Sequence, residues 1–467
     1  MLKRFRPDDP AFLEQIESRL KAVLQDAHMA NTGLLSVTLA LPETPCAGLP
    51  GPFHELFYWS RPAAQHEILG LGTAVTCCAE GEARWSKLSA AFDVWRKHWR
   101  HEDADHTGLQ PLAVGGFAFA AKPDDNTILP SARLSVPELL MQRRGEICAL
   151  TFTFSSSPDD AAIASAMARL RQLMTALIQK IRPVHASRPL QRIDDKHADQ
   201  AWLGRATLAV HDIRSGKLDK VVLSRRVSFR AKWDFDPARV MADLELQHPS
   251  CTLFATDTAD GGVFLGASPE TLVRLQGGDV YCDALAGTAW GEGRATFAAD
   301  QKLLADVKNG REHRLVVQAI AEALRPVCAR LEVPDAPQIR RLGRLRHLWS
   351  SLHGRVKSGI SLLDLLQRVH PTPAVGGYPR KAALDWLSQQ GEQREGWYTG
   401  AIGWLDCAGN GEFAVALRCA HLQGQVAHLY AGAGIVAGSE PQRELAETEA
   451  KLSAMLQVLG QIEVGNG

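Results

Sequence analysis

The sequence predicts an α+β fold with large antiparallel sheets, and three observations support this prediction. Short alternating or apolar runs that are typical of strands recur along the chain, beginning with LLSVTLAL at residues 34–41. Longer segments carry apolar residues at helical spacing, such as residues 159–181, which begin with two aspartates suited to a helix N-terminus. Strands and helices come in blocks rather than in strict alternation, which favours α+β over a parallel α/β sheet.

Composition excludes several classes of protein. The 467 residues are 45% hydrophobic and 22% charged, which suffices for a large core. Lys+Arg and Asp+Glu both number 52, so no net charge attracts nucleic acid or a membrane surface. No run approaches the roughly 20 apolar residues of a membrane helix, and the first residues lack a signal-peptide core. The nine scattered cysteines form no CxxC pair. We therefore expect reduced thiols in a cytoplasmic protein, with no nucleic-acid or membrane partner.

A polar segment at residues 182–200 divides the chain into two parts. We expect residues 1–185 to be a variable amino-terminal part that contributes strands to the same globule, with a separate binding module as the alternative. Residues 200–462 hold most of the candidate chemistry. Because no heptad run or long exposed apolar stripe stands out, we expect a monomer.

In the second part, the sequence predicts three helices and two strands that position the polar residues. Helices are predicted at 201–214, 300–324 and 444–462, and strands at 220–231 and 412–419. The small-residue run that begins at Leu429, LYAGAGIVAGSE, predicts a loop whose backbone N–H groups face an anion.

Two residues are candidates for acid–base chemistry. Lys220 begins an apolar strand, where desolvation would lower its pKa enough for it to act as a base, and an exposed edge lysine is the alternative. Glu270 closes the turn GASPE, where a raised pKa would make it a general acid, and a turn or helix cap is the alternative.

Carboxylates on two predicted helices suggest a divalent cation. Glu312 follows Asn309 by three residues, and Glu447 follows Glu444 by three, so each pair shares a helix face. Mg²⁺ takes a few such oxygen ligands and keeps several waters. Surface ion pairs with Lys451 are the alternative.

Two further side chains could contact an anionic ligand. Arg418 interrupts the apolar run FAVALRCA, where a charge needs either a ligand carboxylate or a buried carboxylate partner. His347 could donate a hydrogen bond to a ligand or be a satisfied structural histidine.

An ordered set of motifs across residues 203–460 resembles the chorismate-utilising enzymes, and among them the isochorismate synthases. These motifs are DKVVLSR, FLGASPETLVRL, ALAGTAWG, KNGREHRLVV, RHLWSSL, HPTPAVGGYPR, WYTGAIGWLDCAGNGEFAVALRCA and LYAGAGIVAGSEPQRELAETEAKLSAML. The resemblance implies two large packed antiparallel sheets with helices outside. It also implies an isomerase that replaces the C4 hydroxyl of chorismate with a water-derived hydroxyl at C2.

The resemblance also implies a role for each candidate. Lys220 would be the general base and Glu270 the general acid. Mg²⁺ would be held by Glu312 and Glu447, with Glu444 nearby. The matching substrate-binding positions are Gly287, Thr288, His347, Ala374, Arg418, Tyr430, Gly434 and Lys451.

Within this family three alternatives remain. Salicylate synthases carry the reaction on to pyruvate elimination, but they differ around Ala374 and usually have glutamate at the position of Asn309. An ammonia-using enzyme that aminates chorismate is a weaker alternative. A catalytically inactive member retained for binding a partner is disfavoured by the intact Lys220 and Glu270.

Overall fold

The computed structural model describes residues 10–26, 33–41, 49, 55–121, 127–155, 159–178, 189–194, 197–290, 297–342 and 345–462. Residues 182–188 and 195–196 of the predicted linker lie outside this range.

The described residues contain ten α-helices. They are α1 Pro10–Asp26, α2 Arg84–Lys97, α3 Asp160–Ile178, α4 Ala198–Arg214, α5 Pro237–Gln247, α6 Phe297–Leu304, α7 Val307–Leu324, α8 Leu362–Val369, α9 Arg380–Gln389 and α10 Pro441–Leu459. A 3₁₀ turn occupies Pro62–Ala64.

The strands fall into an amino-terminal and a carboxy-terminal group. The first group is β1 Leu34–Leu41, β2 Leu56–Arg61, β3 His66–Leu71, β4 Val75–Ala79, β5 Trp99–Asp103, β6 Leu112–Phe117, β7 Ala132–Val136, β8 Leu139–Arg144, β9 Ile147–Phe154 and β10 Pro189–Arg192. The second group is β11 Lys220–Ala231, β12 Thr252–Asp257, β13 Val263–Ser268, β14 Thr271–Gln276, β15 Asp279–Trp290, β16 Cys328–Glu332, β17 Gln338–Leu342, β18 Leu345–Val356, β19 Gly377–Tyr378, β20 Ala401–Asp406, β21 Gly411–Val415, β22 Cys419–Gln423, β23 Val426–Val436 and β24 Gln461–Ile462.

The described strands form two sheets, of 14 and 10 strands. The larger has the order β24-β10-β11-β23-β22-β13-β12-β2-β3-β8-β9-β1-β5, and β19 pairs with β11. The smaller has the order β16-β18-β15-β14-β21-β20-β6-β7-β4, and β17 pairs with β18. Apart from the parallel pairs β1–β5 and β10–β24, the pairings between described strands are antiparallel.

The two sheets pack face to face. Phe57, Trp59 and Phe264 of the larger sheet share one apolar cluster with Val114 and Ile402 of the smaller sheet. Further clusters bury the outer faces under helices, with α1, α3, α5 and α10 on the larger sheet and α2, α7 and α8 on the smaller. The predicted α+β class with two large packed antiparallel sheets is confirmed.

Strands before residue 185 enter both sheets. In the larger sheet β2 pairs with β12, and in the smaller sheet β6 pairs with β20. These ladders join the amino-terminal part to the strands that carry the motifs.

Three predicted elements differ from the structure. The helix predicted at 300–324 is two helices, because the Asp306 side chain accepts a hydrogen bond from the Asn309 N–H and caps the start of α7. The strand predicted at 412–419 is interrupted, and Arg418 lies between β21 and β22 with φ of +48°. The run after Leu429 is not a loop, since it continues β23 as far as Val436. No helix in the described ranges is both long and apolar enough to span a bilayer.

Candidate active site

A cavity with about 710 Å³ of empty space, part of which is open solvent, lies between the two sheets. The larger sheet contributes Val222 of β11 and the stretch of β23 from Tyr430, and the smaller sheet contributes β15 and β18. The lining residues are Val222, Pro269, Glu270, Leu285, Ala286, Gly287, Thr288, Glu312, His347, Ala374, Val375, Tyr398, Thr399, Leu417, Arg418, Tyr430, Ala431, Gly432, Gly434 and Lys451.

Lys220 and Glu312 form an ion pair at the wall of this cavity. The Nζ atom of Lys220 lies 2.9 Å from Oε1 of Glu312, with the lysine side chain 0% exposed and the glutamate 13% exposed. Although burial opposes ionisation, Lys220 and then Lys451 and Lys308 lower the pKa of Glu312. The predicted base therefore contacts a predicted metal ligand, and the exposed-edge alternative for Lys220 is wrong.

Glu270 is a buried carboxyl group at the same cavity. The residue is 2% exposed, and within the described chain its Oε1 atom has no hydrogen-bond partner. Burial, and secondarily the negative charge of Asp283, raise the pKa of Glu270 to about 8, against the opposing effects of Lys220 and Arg340. Glu270 is thus a protonated acid at neutral pH.

The three predicted metal ligands are each paired with a lysine. The Lys308 ammonium donates to Glu444 Oε1 at 2.5 Å, and Lys451 Nζ lies 2.7 Å from Glu447 Oε1. Across the parts of the chain described here, no three His, Cys, Asp or Glu side chains are grouped so as to hold an ion. The Glu447–Lys451 ion pair, which was the alternative to a metal site at this position, is present at the i,i+4 spacing.

The charges of this cluster nevertheless suit a divalent cation. Burial, and then the neighbouring charge of Glu447, raise the pKa of Glu444. Burial opposes ionisation of Lys308, but Glu444, Glu312 and Glu447 raise the pKa of that lysine. The ammonium group of Lys308 therefore interacts electrostatically with all three carboxylates. A hard cation with oxygen ligands would neutralise the same charges. The charge of this cluster, rather than a preformed group of three ligands, is therefore the feature that a divalent cation would match.

Arg418 is held by a histidine rather than by a carboxylate. Its NH2 atom lies 2.7 Å from Nε2 of His347. Among the described residues Arg418 has no carboxylate within ion-pair distance, and its buried NH1 atom has no hydrogen-bond partner. One guanidinium N–H group is therefore available to a ligand in the cavity.

The contact with Arg418 determines the tautomer of His347. Burial and the Arg418 charge lower the pKa of His347 well below its ordinary value, so the ring is neutral. Because arginine only donates, Nε2 must accept and Nδ1 must carry the proton. Nδ1 then donates to Thr288 Oγ1 at 3.1 Å, which leaves the Thr288 hydroxyl proton free for an acceptor in the cavity.

A bulge in β15 turns Thr288 into the cavity. The pairing of β15 with β18 shifts register between Ala286 and Thr288, and Gly287 between them has φ of +80°. The Thr288 N–H donates to Asn309 Oδ1 at 3.1 Å, which ties the bulge to α7. A Cβ atom at Gly287 would lie 3.1 Å from the Cβ of Asn309, so the close approach of β15 to α7 favours glycine.

Two stacked tyrosines close one side of the cavity. The Tyr398 and Tyr430 rings lie 5.3 Å apart, and the Tyr430 hydroxyl donates to Glu395 at 2.6 Å. Tyr430 therefore presents its ring to the cavity while its proton is used elsewhere. Burial raises the pKa of Tyr398, so its hydroxyl remains protonated.

The structure brings most of the predicted residues together. Glu270, Gly287, Thr288, Glu312, His347, Ala374, Arg418, Tyr430, Gly434 and Lys451 line the cavity, and Lys220 touches it through Glu312. Glu444 and Glu447 lie outside the lining. Glu447 pairs with the lining residue Lys451, whereas Glu444 pairs with Lys308, which also lies outside the lining. Sequence reasoning did not single out Tyr398 or Thr399, although both lie in the quoted motif WYTG. A hydroxyl-bearing pair within an otherwise apolar run was the available signal.

Known proteins share both the sequence and the fold. The family described as chorismate binding enzyme matches residues 20–460. The salicylate biosynthesis isochorismate synthase of Pseudomonas aeruginosa is 36% identical over 434 residues, covering 90% of this chain and 86% of the relative. Isochorismate synthase MenF of Bacillus subtilis is 30% identical, covering 86% of this chain and 88% of the relative.

A solved structure extends this likeness to the fold. The structure of MenF, the menaquinone-specific isochorismate synthase from Escherichia coli, matches with a TM-score of 0.77 and 26% identity, covering 96% of this chain and all of that chain. The family match spans the amino-terminal strands and the cavity alike. This chain belongs to the family of chorismate-binding enzymes.

Proposed function

We propose that this protein is an isochorismate synthase, an isomerase that converts chorismate into isochorismate. The relatives named above are isochorismate synthases, and they align over most of this chain. One observation carries the proposal: a protonated carboxyl group, Glu270, lines a cavity between the sheets, and another lining residue, Glu312, is paired with a buried lysine, Lys220.

The reaction needs an acid and a base on opposite sides of a ring. Water loses a proton to the neutral amine of Lys220 as its oxygen bonds to C2. The ring double bonds shift, the C4–O bond breaks, and Glu270 protonates the departing hydroxyl, which leaves as water. Because an ammonium group has no lone pair, the ion pair between Lys220 and Glu312 must open and Lys220 must lose a proton before it accepts one from water.

The cavity is complementary to a dianion. The free N–H of Arg418 and the hydroxyl proton of Thr288 are donors for a carboxylate, and both depend on His347. Mg²⁺ would be held by Glu312 and Glu447, with Glu444 nearby, and when bound it would neutralise the ring carboxylate. Lys451 donates to the Gly432 carbonyl at 2.8 Å and adds positive charge at the same wall.

Asn309 favours the isomerase over the salicylate-forming alternative. Its amide oxygen accepts from the Thr288 N–H, so the residue holds the β15 bulge without adding a negative charge. A glutamate here, as salicylate synthases usually carry, would place another carboxylate one helical turn before Glu312 on α7.

The direct test is to incubate purified protein with chorismate and Mg²⁺ and to separate the products by chromatography. We expect isochorismate as the main product. Salicylate and pyruvate as main products would establish the lyase instead. An amino product that increases with added ammonia would establish an aminating enzyme, and unchanged chorismate would contradict all three activities.

A further inference from the structure

We propose that Arg394, which does not line the cavity, is a positioning residue that fixes the relative positions of three chain segments that do line it. The proposal rests on the isomerase function above, since its consequence is measured as turnover. Arg394 lies in the segment between α9 and β20, and its side chain is 1% exposed.

The Arg394 guanidinium donates to three residues that line the cavity. Its NH1 atom donates to the Val375 carbonyl at 2.7 Å and to Thr399 Oγ1 at 2.8 Å, and its NH2 atom donates to the Val222 carbonyl at 2.8 Å. These acceptors come from the segment after α8, the residues before β20, and strand β11. One planar group therefore fixes three chain segments that are far apart in sequence.

At Thr399 the Arg394 contact supports an unusual backbone. Thr399 has φ of +59°, a conformation that is unfavourable for a β-branched residue. Its N–H donates to the Ala416 carbonyl and its hydroxyl donates to the Tyr398 carbonyl at 2.6 Å, so Arg394 must donate to the hydroxyl oxygen. Tyr398 and Thr399 both line the cavity, so the position of these two side chains depends on this hydrogen bond.

On strand β11, the hydrogen bond from Arg394 to the Val222 carbonyl lies close to the proposed base, Lys220. Val222 follows Lys220 by two residues, so the two side chains lie on the same face of the strand. The buried partner of Arg394, Glu392, adds a second attachment, since its Oε1 atom accepts from the Ser224 N–H at 2.6 Å and lies 3.6 Å from Arg394 Nε. Arg394 and Glu392 thus fix β11 on both sides of Leu223, next to Lys220.

A lysine could not replace this arginine. The guanidinium is planar and donates in several directions at once, and its face packs on the Phe119 ring with 3.7 Å between its carbon atom and the ring centroid. A lysine ammonium at the end of a flexible chain would reach only part of this acceptor set, and it would leave buried carbonyl groups unpaired.

The test compares Arg394→Lys with the wild type in turnover of chorismate, in thermal unfolding and in the folded fraction measured by circular dichroism, which gives the number of active sites. We expect kcat per active site to fall about 10- to 100-fold, because small misplacements of reacting groups are costly. Arg355→Lys is the matched control, since that arginine forms an exposed ion pair with Asp279. An Arg394→Lys enzyme with fewer active sites but normal kcat per site would show a purely structural role and overturn the proposal.

A second variant covers the case in which Arg394→Lys does not fold. Glu392→Gln keeps an oxygen that can accept from Ser224 and removes the negative charge that Glu392 presents to Arg394 and to Arg205, so we expect a folded enzyme with kcat about three- to tenfold lower. Wild-type kcat in Glu392→Gln would overturn the proposal. Failure of the wild type itself to convert chorismate would instead contradict the proposed function, so the two failures are distinguishable.

Discussion

The Nζ atom of Lys220 lies 2.9 Å from Oε1 of Glu312, and the lysine side chain is fully buried. The pair joins the first residue of β11 to α7, and so connects the larger sheet to a helix that covers the smaller one. Glu312 is also one of three carboxylates around Lys308. The proposed base and the proposed cation site are therefore in direct contact, and a change in one should alter the other.

Replacing Lys220 with Met should abolish catalysis while keeping most of the packing. Loss of a general base typically costs about 10²- to 10⁴-fold in rate. Glu312 would then lack its partner, so circular dichroism and thermal unfolding should accompany the assay of isochorismate formation. Lys381→Met is the control, because that lysine is 88% exposed on α9. Turnover within about threefold of wild type would remove Lys220 as the base.

Activity should fall as pH rises through about 8. The folded-state pKa of Glu270 is about 8, above the ordinary value of 4.5, so the carboxyl group is protonated below pH 8 and loses its proton above it. A general acid must be protonated in the free enzyme, so kcat/KM should decrease on the alkaline side with an apparent pKa near this value. Measurement of kcat/KM from pH 6 to 10 tests this, and a flat alkaline profile would contradict the role of Glu270.

Asp283→Asn should move that alkaline decrease to lower pH. Asp283 raises the pKa of Glu270, so removing its negative charge lowers the pKa and the acid loses its proton earlier. The geometry should persist, since an amide oxygen can still accept from the Thr271 N–H and from Arg340. Asp279→Asn, on the same strand but paired with the exposed Arg355, should leave the profile unchanged.

The sequence predicted those features of this site that depend on neighbouring residues along the chain. Lys220 was placed correctly, because alternation along residues 220–231 is visible in the chain itself. The interruption of the helix at Asp306 was missed, since apolar periodicity continues across it. Arg418 was placed inside a strand, because nothing local signals a left-handed conformation in an arginine.

Features that depend on contacts between distant segments could not be predicted from the residues alone. The charge of Asp283 reaches Glu270 only because β14 pairs with β15. Likewise, the hydrogen bond from Tyr430 to Glu395 depends on how the segment before β20 lies against β23. Such contacts are set by tertiary packing, which composition and periodicity do not encode position by position.

Mg²⁺ should stabilise the protein against thermal unfolding, and Glu447→Gln should weaken this effect. A ligand at ten times its Kd stabilises the folded state by about 1.4 kcal/mol when it does not bind the unfolded chain. Glu449→Gln is the matched control, since that residue lies on the same helix but is half-exposed and paired with Arg225. An equal Mg²⁺-dependent rise in Tm in all three proteins would place the ion elsewhere.

Gly434→Ala should reduce turnover with little loss of stability. A Cβ atom at residue 434 would lie 2.5 Å from Oε1 of Glu312 and 3.0 Å from Cε of Lys220. The clash falls on the ends of two side chains rather than on backbone, so those side chains must move apart and the fold can persist. Replacing glycine with alanine also restricts the unfolded chain, which offsets part of the strain by about 0.4–1 kcal/mol.

We therefore expect kcat of Gly434→Ala to fall about tenfold or more, because displacements of about 1 Å at reacting groups can cost 100-fold. Gly438→Ala is the matched control, since a Cβ atom at that position would meet nothing within 4 Å. Steady-state kinetics and thermal unfolding of both variants separate the effect on turnover from the effect on stability. If the two variants had equal kcat, the contact between Lys220 and Glu312 would not govern turnover, and the ion pair at the cavity wall would have only a structural role.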